Sequence, residues 1–174
     1  MAAIPYPDPD QVPGLAEVYA GIEGIGRPVL NLYRVMAHSP EGLQAYIGLS
    51  HFVRDKSSLP APLRELAILQ TGLAIGCAYE VEHHTIAARR AGLAEAKIQA
   101  VLRGSRDGFD ASEQAVLAYA REVAESRSAS DGTLASLRQH LSLRQISDLA
   151  ITVGMYHLCA AVLLPLRVEL DAGG

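Results

Sequence analysis

Tryptophan is absent, and phenylalanine and cysteine occur twice each in 174 residues. Two cysteines as far apart as Cys77 and Cys159 do not make the disulfide framework of a small secreted domain. Aromatics at 5%, beside a hydrophobic content of 49%, leave a core of Leu, Ala, Val and Ile. Ala and Leu lead the helix scale, whereas strands draw on β-branched and aromatic residues, so a sandwich is disfavoured. A basic excess is also missing: 15 Lys and Arg stand against 19 Asp and Glu, for a net charge of −4. The signs are interspersed, which excludes the basic footprint of a nucleic-acid binder.

The start, Met1 to Asp10, lacks the positive charge and apolar run of a signal peptide. No stretch reaches the ~20 consecutive apolar residues that span a bilayer. The longest candidate, Leu149 to Leu164, is interrupted by His157 and reads as a buried core helix. These absences describe a soluble, cytoplasmic chain without a membrane partner. A phosphate-cradling glycine loop, a Gly-x-Ser-x-Gly elbow and a Cys-x-x-Cys pair are missing too. Any chemistry here uses a few side chains and no cofactor.

What is present reads as one domain over residues 1–174, an all-α bundle of roughly seven to eight helices. Pro5, Pro7, Pro9 and Pro13 make residues 1–13 an extended arm. A short helix from Leu15 to Ala20 is followed by one starting at Pro28 and running to Met36. Ser39-Pro40-Glu41 combines a capping serine, a proline at the first helical position and an acid in the first turn, opening a helix to about Arg54. Further helices are expected over 63–75, 78–90, 93–102 and 110–125. Asp131 caps one to His140, and Ser142 caps a last one from Leu143 to about Leu170, kinked at Pro165.

The chemistry gathers between positions 64 and 93. Glu65 shares a helical face with Ile68, Leu69, Gly72 and Leu73. A buried carboxylate there either gains a raised pKa useful for acid–base work or pairs with an arginine, Arg64 of a neighbouring subunit or Arg89. On the next helix Cys77, Glu80, His84, Ala87, Ala88 and Ala91 share a face whose later positions are small, as an interior face requires. Cys77 falls at the helix N-terminus, where the dipole favours thiolate, although a single cysteine also serves as a small buried hydrophobe. Glu80 precedes His84 by one turn, a spacing that permits a carboxylate–imidazole hydrogen bond. His83 shares a face with Tyr79 and Ile86, and Glu82 is solvated. Glu80 and His83 match a Glu-x-x-His spacing that di-iron bundles need twice; it occurs once, so no metal is expected. Cys159 in the apolar last helix is expected to be inert.

Arg64-Glu65-Leu66, Gly76-Cys77-Ala78-Tyr79-Glu80, His83-His84 and Ala91-Gly92-Leu93 together resemble the carboxymuconolactone decarboxylase family, which includes the AhpD-like alkylhydroperoxidases. Asn31-Leu32-Tyr33-Arg34, Ala37 to Pro40, Tyr156 and Glu169 to Asp171 extend the likeness over most of the chain. The resemblance implies an all-helical AhpD-like fold and a homo-oligomer, a trimer or hexamer, with sites near subunit contacts. In the AhpD branch a Cys-x-x-Cys-x-x-x-His motif and an upstream glutamate form a thiol peroxidase. Glu65 matches that glutamate, Cys77 the first cysteine and His84 the histidine, while Glu80 stands where the second cysteine would be.

The sequence therefore fits better the decarboxylase-like branch, with cofactor-free loss of carbon dioxide from a small carboxylated lactone in aromatic-acid breakdown. The catalytic set implied is Glu65, Cys77, Glu80 and His84, with His84 and Glu80 handling the proton and Glu65 relaying or orienting. Arg34 or Arg64 would clamp a substrate carboxylate, beside Tyr79 and His83. A thiol peroxidase and a non-catalytic oligomeric ligand-binding protein are the alternatives.

Overall fold

The structure, a computed structural model, describes residues 2–171. Among them are nine α-helices and no strand: α1 (Leu15–Gly24), α2 (Asn31–Met36), α3 (Pro40–His51), α4 (Ala61–Ile75), α5 (Ala78–Arg90), α6 (Glu95–Leu102), α7 (Ala111–Ser126), α8 (Asp131–His140) and α9 (Leu143–Leu163). They coincide with the nine segments expected to be helical, one more than the upper figure of seven to eight. A short 3-10 turn, Pro9–Gln11, interrupts the arm that the prolines predicted to be extended, because the Asp8 carboxylate accepts the Asp10 N–H at 3.1 Å. A π-helical turn, Phe52–Lys56, follows α3 where an unbroken α-helix to Arg54 was expected. Such turns widen the backbone ring and recur at functional sites.

The chain forms two compact units. One comprises the N-terminal segment to Phe52 with the C-terminal segment from Ala161; the other is Val53–Ala160. In the first, α2 begins at Asn31, not at Pro28. Residues up to Leu30 stay extended, and the Asn31 N–H is capped at 2.7 Å by the Asp171 carboxylate, 140 positions away. Ser39 holds the cap position of α3 without a side-chain capping bond.

In the second unit, α4 is central. Leu66, Ala67, Ile68 and Leu69 are buried in succession, the pattern of a helix covered on every side. Ala67 packs with Leu59, Val116, Leu137, Leu149 and Val153. Leu66 and Leu69 pack with Ala88, Leu93, Ile98, Val101, Phe109 and Leu117. Burying each such leucine contributes about 2 kcal/mol. Four predicted boundaries move: α4 begins at Ala61, α6 at Glu95, Ser130, not Asp131, caps α8 through the Thr133 N–H, and α9 stops at Leu163. The stop precedes Pro165, whose ring disfavours helical backbone at the residue before it. Ser142 caps α9 as expected, exchanging bonds with Gln145 at 2.9 and 3.2 Å. By length and composition α9 could cross a membrane, but half of its apolar window is buried, and Leu149, Val153, Met155, Cys159 and Leu163 serve the core.

The helix pair α4–α5 positions the site. Gly76 adopts φ +78°, the left-handed conformation that glycine tolerates best, and lets the Cys77 N–H reach the Gly72 carbonyl at 2.8 Å. The chain reverses, and α5 runs antiparallel to α4. Gly72 lets the two helices approach closely: a Cβ there would lie 3.3 Å from Val81 Cγ2 and 3.4 Å from Glu80 Cβ. This register sets Glu65 opposite His84.

Candidate active site

Glu65, Glu80 and His84 are 3%, 4% and 2% exposed, so three ionisable groups meet in the interior. His84 Nδ1 lies 2.7 Å from Glu65 Oε2. With Glu65 ionised, Nδ1 carries the hydrogen and donates, an assignment made from the bond pattern. His84 Nε2 is thereby left as the basic nitrogen, 3.5 Å from Glu80 Oε2. The predicted carboxylate–imidazole bond is thus made by Glu65 on the neighbouring helix. Glu80, the expected partner, sits at the longer distance, because one helical turn brings its carboxylate near the ring without aligning it.

The two carboxyls are pushed apart. At Glu65 burial works to raise the pKa, but the His84 hydrogen bond and charge, joined by those of Arg64, outweigh it and hold the carboxyl below its ordinary value. Arg64 of the same chain donates from Nε to Glu65 Oε1 at 3.1 Å and from Nη1 to the Arg54 carbonyl at 3.0 Å. Arg89, the other candidate partner, instead pairs with Glu95 on the surface at 2.8 Å. At Glu80 burial again comes first and here prevails. The charges of His84, Arg54 and His83 and a hydrogen bond from the Cys159 thiol offset it only in part, so the carboxyl lies above its ordinary value.

Cys77 occupies the N-cap of α5, as the sequence implied, and of the two readings its 1% exposure fits the small buried hydrophobe better than the thiolate. Burial raises the thiol pKa and outweighs the hydrogen bonds from the Glu80 and Tyr79 N–H groups. The dipole's pull is smaller than the cost of a buried charge. Tyr79 and His83 stack with ring centroids 4.6 Å apart, and His83 is partly exposed. Arg34 belongs to the first unit, where it lines a surface cavity of about 330 Å³ with Tyr6, Pro7, Pro9, Tyr19, Glu23 and Val29. Within the Glu65–His84 cluster, the cation besides Arg64 is Arg54 on the π-helical turn.

Three members of the cluster were not among the site residues expected from the sequence. Arg54 bears on both Glu80 and Tyr156 by its charge. Cys159, expected to be inert, donates to Glu80. Tyr156 lays its ring edge-on to His84, with centroids 4.8 Å apart at 86°. The last two sit three positions apart on α9, on one face of an apolar helix, and that spacing beside polar atoms was the available signal.

Comparison with known proteins brings the cluster into context. Residues 40–125 match the model of the carboxymuconolactone decarboxylase family. The fold is shared with an uncharacterised peroxidase-related protein with an alkylhydroperoxidase AhpD core from Ralstonia eutropha JMP134, at TM-score 0.83 and 17% identity over 98% of this chain and 92% of that one. It is shared too with a putative antioxidant defence protein AhpD of unknown function from Agrobacterium tumefaciens, at TM-score 0.71 and 23% identity over 77% and 93%. The debrominase Bmp8, in complex with 2,3,4-tribromopyrrole, aligns at TM-score 0.80 and 18% identity over 95% and 90%. At such identities the likeness is one of fold. No curated protein sequence matches significantly. The matched segment, just under half of the chain, contains α4, α5 and the Glu65, Glu80 and His84 cluster, so this part of the chain is similar to the carboxymuconolactone decarboxylase family, and the all-helical fold is AhpD-like.

Proposed function

We propose that the protein is a cofactor-free acid–base enzyme acting on a small carboxylated lactone or a related organic acid. The observation that carries this reading is the split between Glu65 and Glu80 on either side of His84. Paired carboxyls whose environments drive their pKa values apart divide naturally into a base side and an acid side. Glu65 stays ionised and orients His84, stabilising the imidazolium that forms when Nε2 takes a proton. Glu80 holds its proton and can donate it.

For a carboxylated lactone the step balances. The bond between the ring carbon and the carboxylate breaks, and carbon dioxide leaves. The electron pair remains as an enolate conjugated with the lactone carbonyl, and Glu80 protonates the carbon. Glu80 then recovers a proton through His84 Nε2. Burial strengthens each electrostatic contact along this path.

The test is release of carbon dioxide from carboxymuconolactone. His84→Ala should lower kcat/KM at least about 100-fold, the low end for positioned acid–base groups, in protein whose circular dichroism matches wild type. Unchanged turnover would remove the relay. The thiol-peroxidase alternative predicts peroxide consumption that Cys77→Ser abolishes; the raised thiol pKa speaks for no effect. The near-complete burial of the relay favours a second reading, a non-catalytic oligomeric ligand-binding protein, and wild type inert toward lactones and peroxides alike would support it. The assembly inferred with the family resemblance is a homotrimer or homohexamer. The exposed Leu143, Ile151 and Leu158 of α9 offer apolar surface for it. Light scattering that returned a monomer mass would end that part of the reading.

A further inference from the structure

We propose that the Tyr156 hydroxyl is a substrate contact: it donates a hydrogen bond to a carbonyl or carboxylate oxygen of a small organic acid held against His84, with Arg54 supplying positive charge beside it. The inference rests on the acid–base reading of the cluster and adds to it the group that receives the substrate's oxygen.

Tyr156 is 2% exposed, and its hydroxyl makes no hydrogen bond to any described residue. A buried hydroxyl without a partner is costly, and interiors rarely leave one. The buried Thr71 and Thr152 hydroxyls each bond a carbonyl of their own helix at 2.8 Å, whereas the Ser50 and Tyr19 hydroxyls share the lack of a partner; what sets Tyr156 apart is that its ring lies against His84. Packing alone does not call for the Tyr156 oxygen, since phenylalanine presents the same ring edge to His84. The ring packs edge-on to His84, and the groups whose electrostatics bear on the phenol are Arg54, Glu80, Cys159 and Glu65, so it lies within the cluster. Burial pushes its pKa well above the ordinary tyrosine value, which keeps the hydroxyl a donor at neutral pH. A neutral donor on a ring packed against His84, with a cation acting on it, suits an oxygen on which negative charge develops.

The probe is a saturated γ-butyrolactone carboxylate, titrated calorimetrically into full-length protein. Tyr156→Phe should fold with a melting temperature no lower than wild type, because no hydrogen bond is lost, and bind the probe about tenfold or more weakly. Equal affinity of Tyr156→Phe and wild type overturns the proposal. So does a fall in melting temperature with affinity unchanged, which assigns the hydroxyl a structural role, and so does failure of wild type to bind the probe. If wild type binds the probe but releases no carbon dioxide from carboxymuconolactone, the acid–base reading fails. The affinity ratio still decides the role of Tyr156.

Discussion

Two buried glutamates in the same unit differ in what surrounds them. Glu113, 6% exposed, is saturated: Lys97 Nζ reaches its two oxygens at 2.6 and 2.7 Å, and the Asp110 N–H donates to it at 2.9 Å. The Asp110 carboxylate answers by accepting the Glu113 N–H at 2.9 Å, closing a capping box at the start of α7. Glu80, 4% exposed, has an imidazole nitrogen at 3.5 Å and a thiol, and burial wins over both. Burial of a carboxylate is therefore not itself a sign of function. Where the partners are complete, the carboxylate serves structure; where they are incomplete, burial raises the pKa and favours the protonated form.

The largest effect that tests this contrast is on stability. Glu113→Ala removes the capping partner and strands Lys97 Nζ, and should cost about 2 kcal/mol, a drop of roughly 6 °C in melting temperature. Lactone turnover should be untouched. Glu80→Gln puts an amide of the same shape in place of the carboxyl, and should stay within about 1 kcal/mol of wild type while turnover is lost. Thermal melts and carbon dioxide release on the same preparations separate the two. If Glu80→Gln destabilised as much as Glu113→Ala, Glu80 would be a structural carboxylate and the contrast would collapse.

Much of this was legible in the sequence, for reasons that are local. The α4–α5 pair follows from Pro60-Ala61-Pro62, Gly76 and the apolar run of α4, and the placement of Cys77, Glu80 and His84 on one face follows from helical period alone. The capping box of α7 was written in Asp110-Ala111-Ser112-Glu113. Contacts between distant segments were hidden. Nothing local tells that Asp171 caps α2, or that Arg54 ends on a π-helical turn whose carbonyl receives Arg64. The same limit governed the site. Glu80 looked like the partner of His84 because it is one turn away, whereas the short bond comes from Glu65, 19 positions earlier. Cys159 and Tyr156 reach the cluster only once α9 has packed.

A smaller effect sharpens the contrast further, because Glu65 and Glu80 should tilt stability in opposite directions with pH. Glu65 is ionised in the folded state at pH values where the unfolded chain is already taking up protons. Its contribution is therefore full above the ordinary glutamate range and is lost as pH falls through its lowered pKa. Glu80 is the reverse. The folded state keeps a proton that the unfolded chain has released, so its contribution is full below the ordinary range and declines as pH rises through its raised pKa. Urea denaturation from about pH 3 to pH 9 should show Glu65→Gln flattening the acid limb and Glu80→Gln flattening the decline on the upper side. Each change should be smaller than the loss in Glu113→Ala. An upper limb that kept its slope in Glu80→Gln would mean that Glu80 carries no proton at neutral pH. The acid side of the relay would then have to come from another group, and the Cys159 thiol that donates to Glu80 is the one already in place.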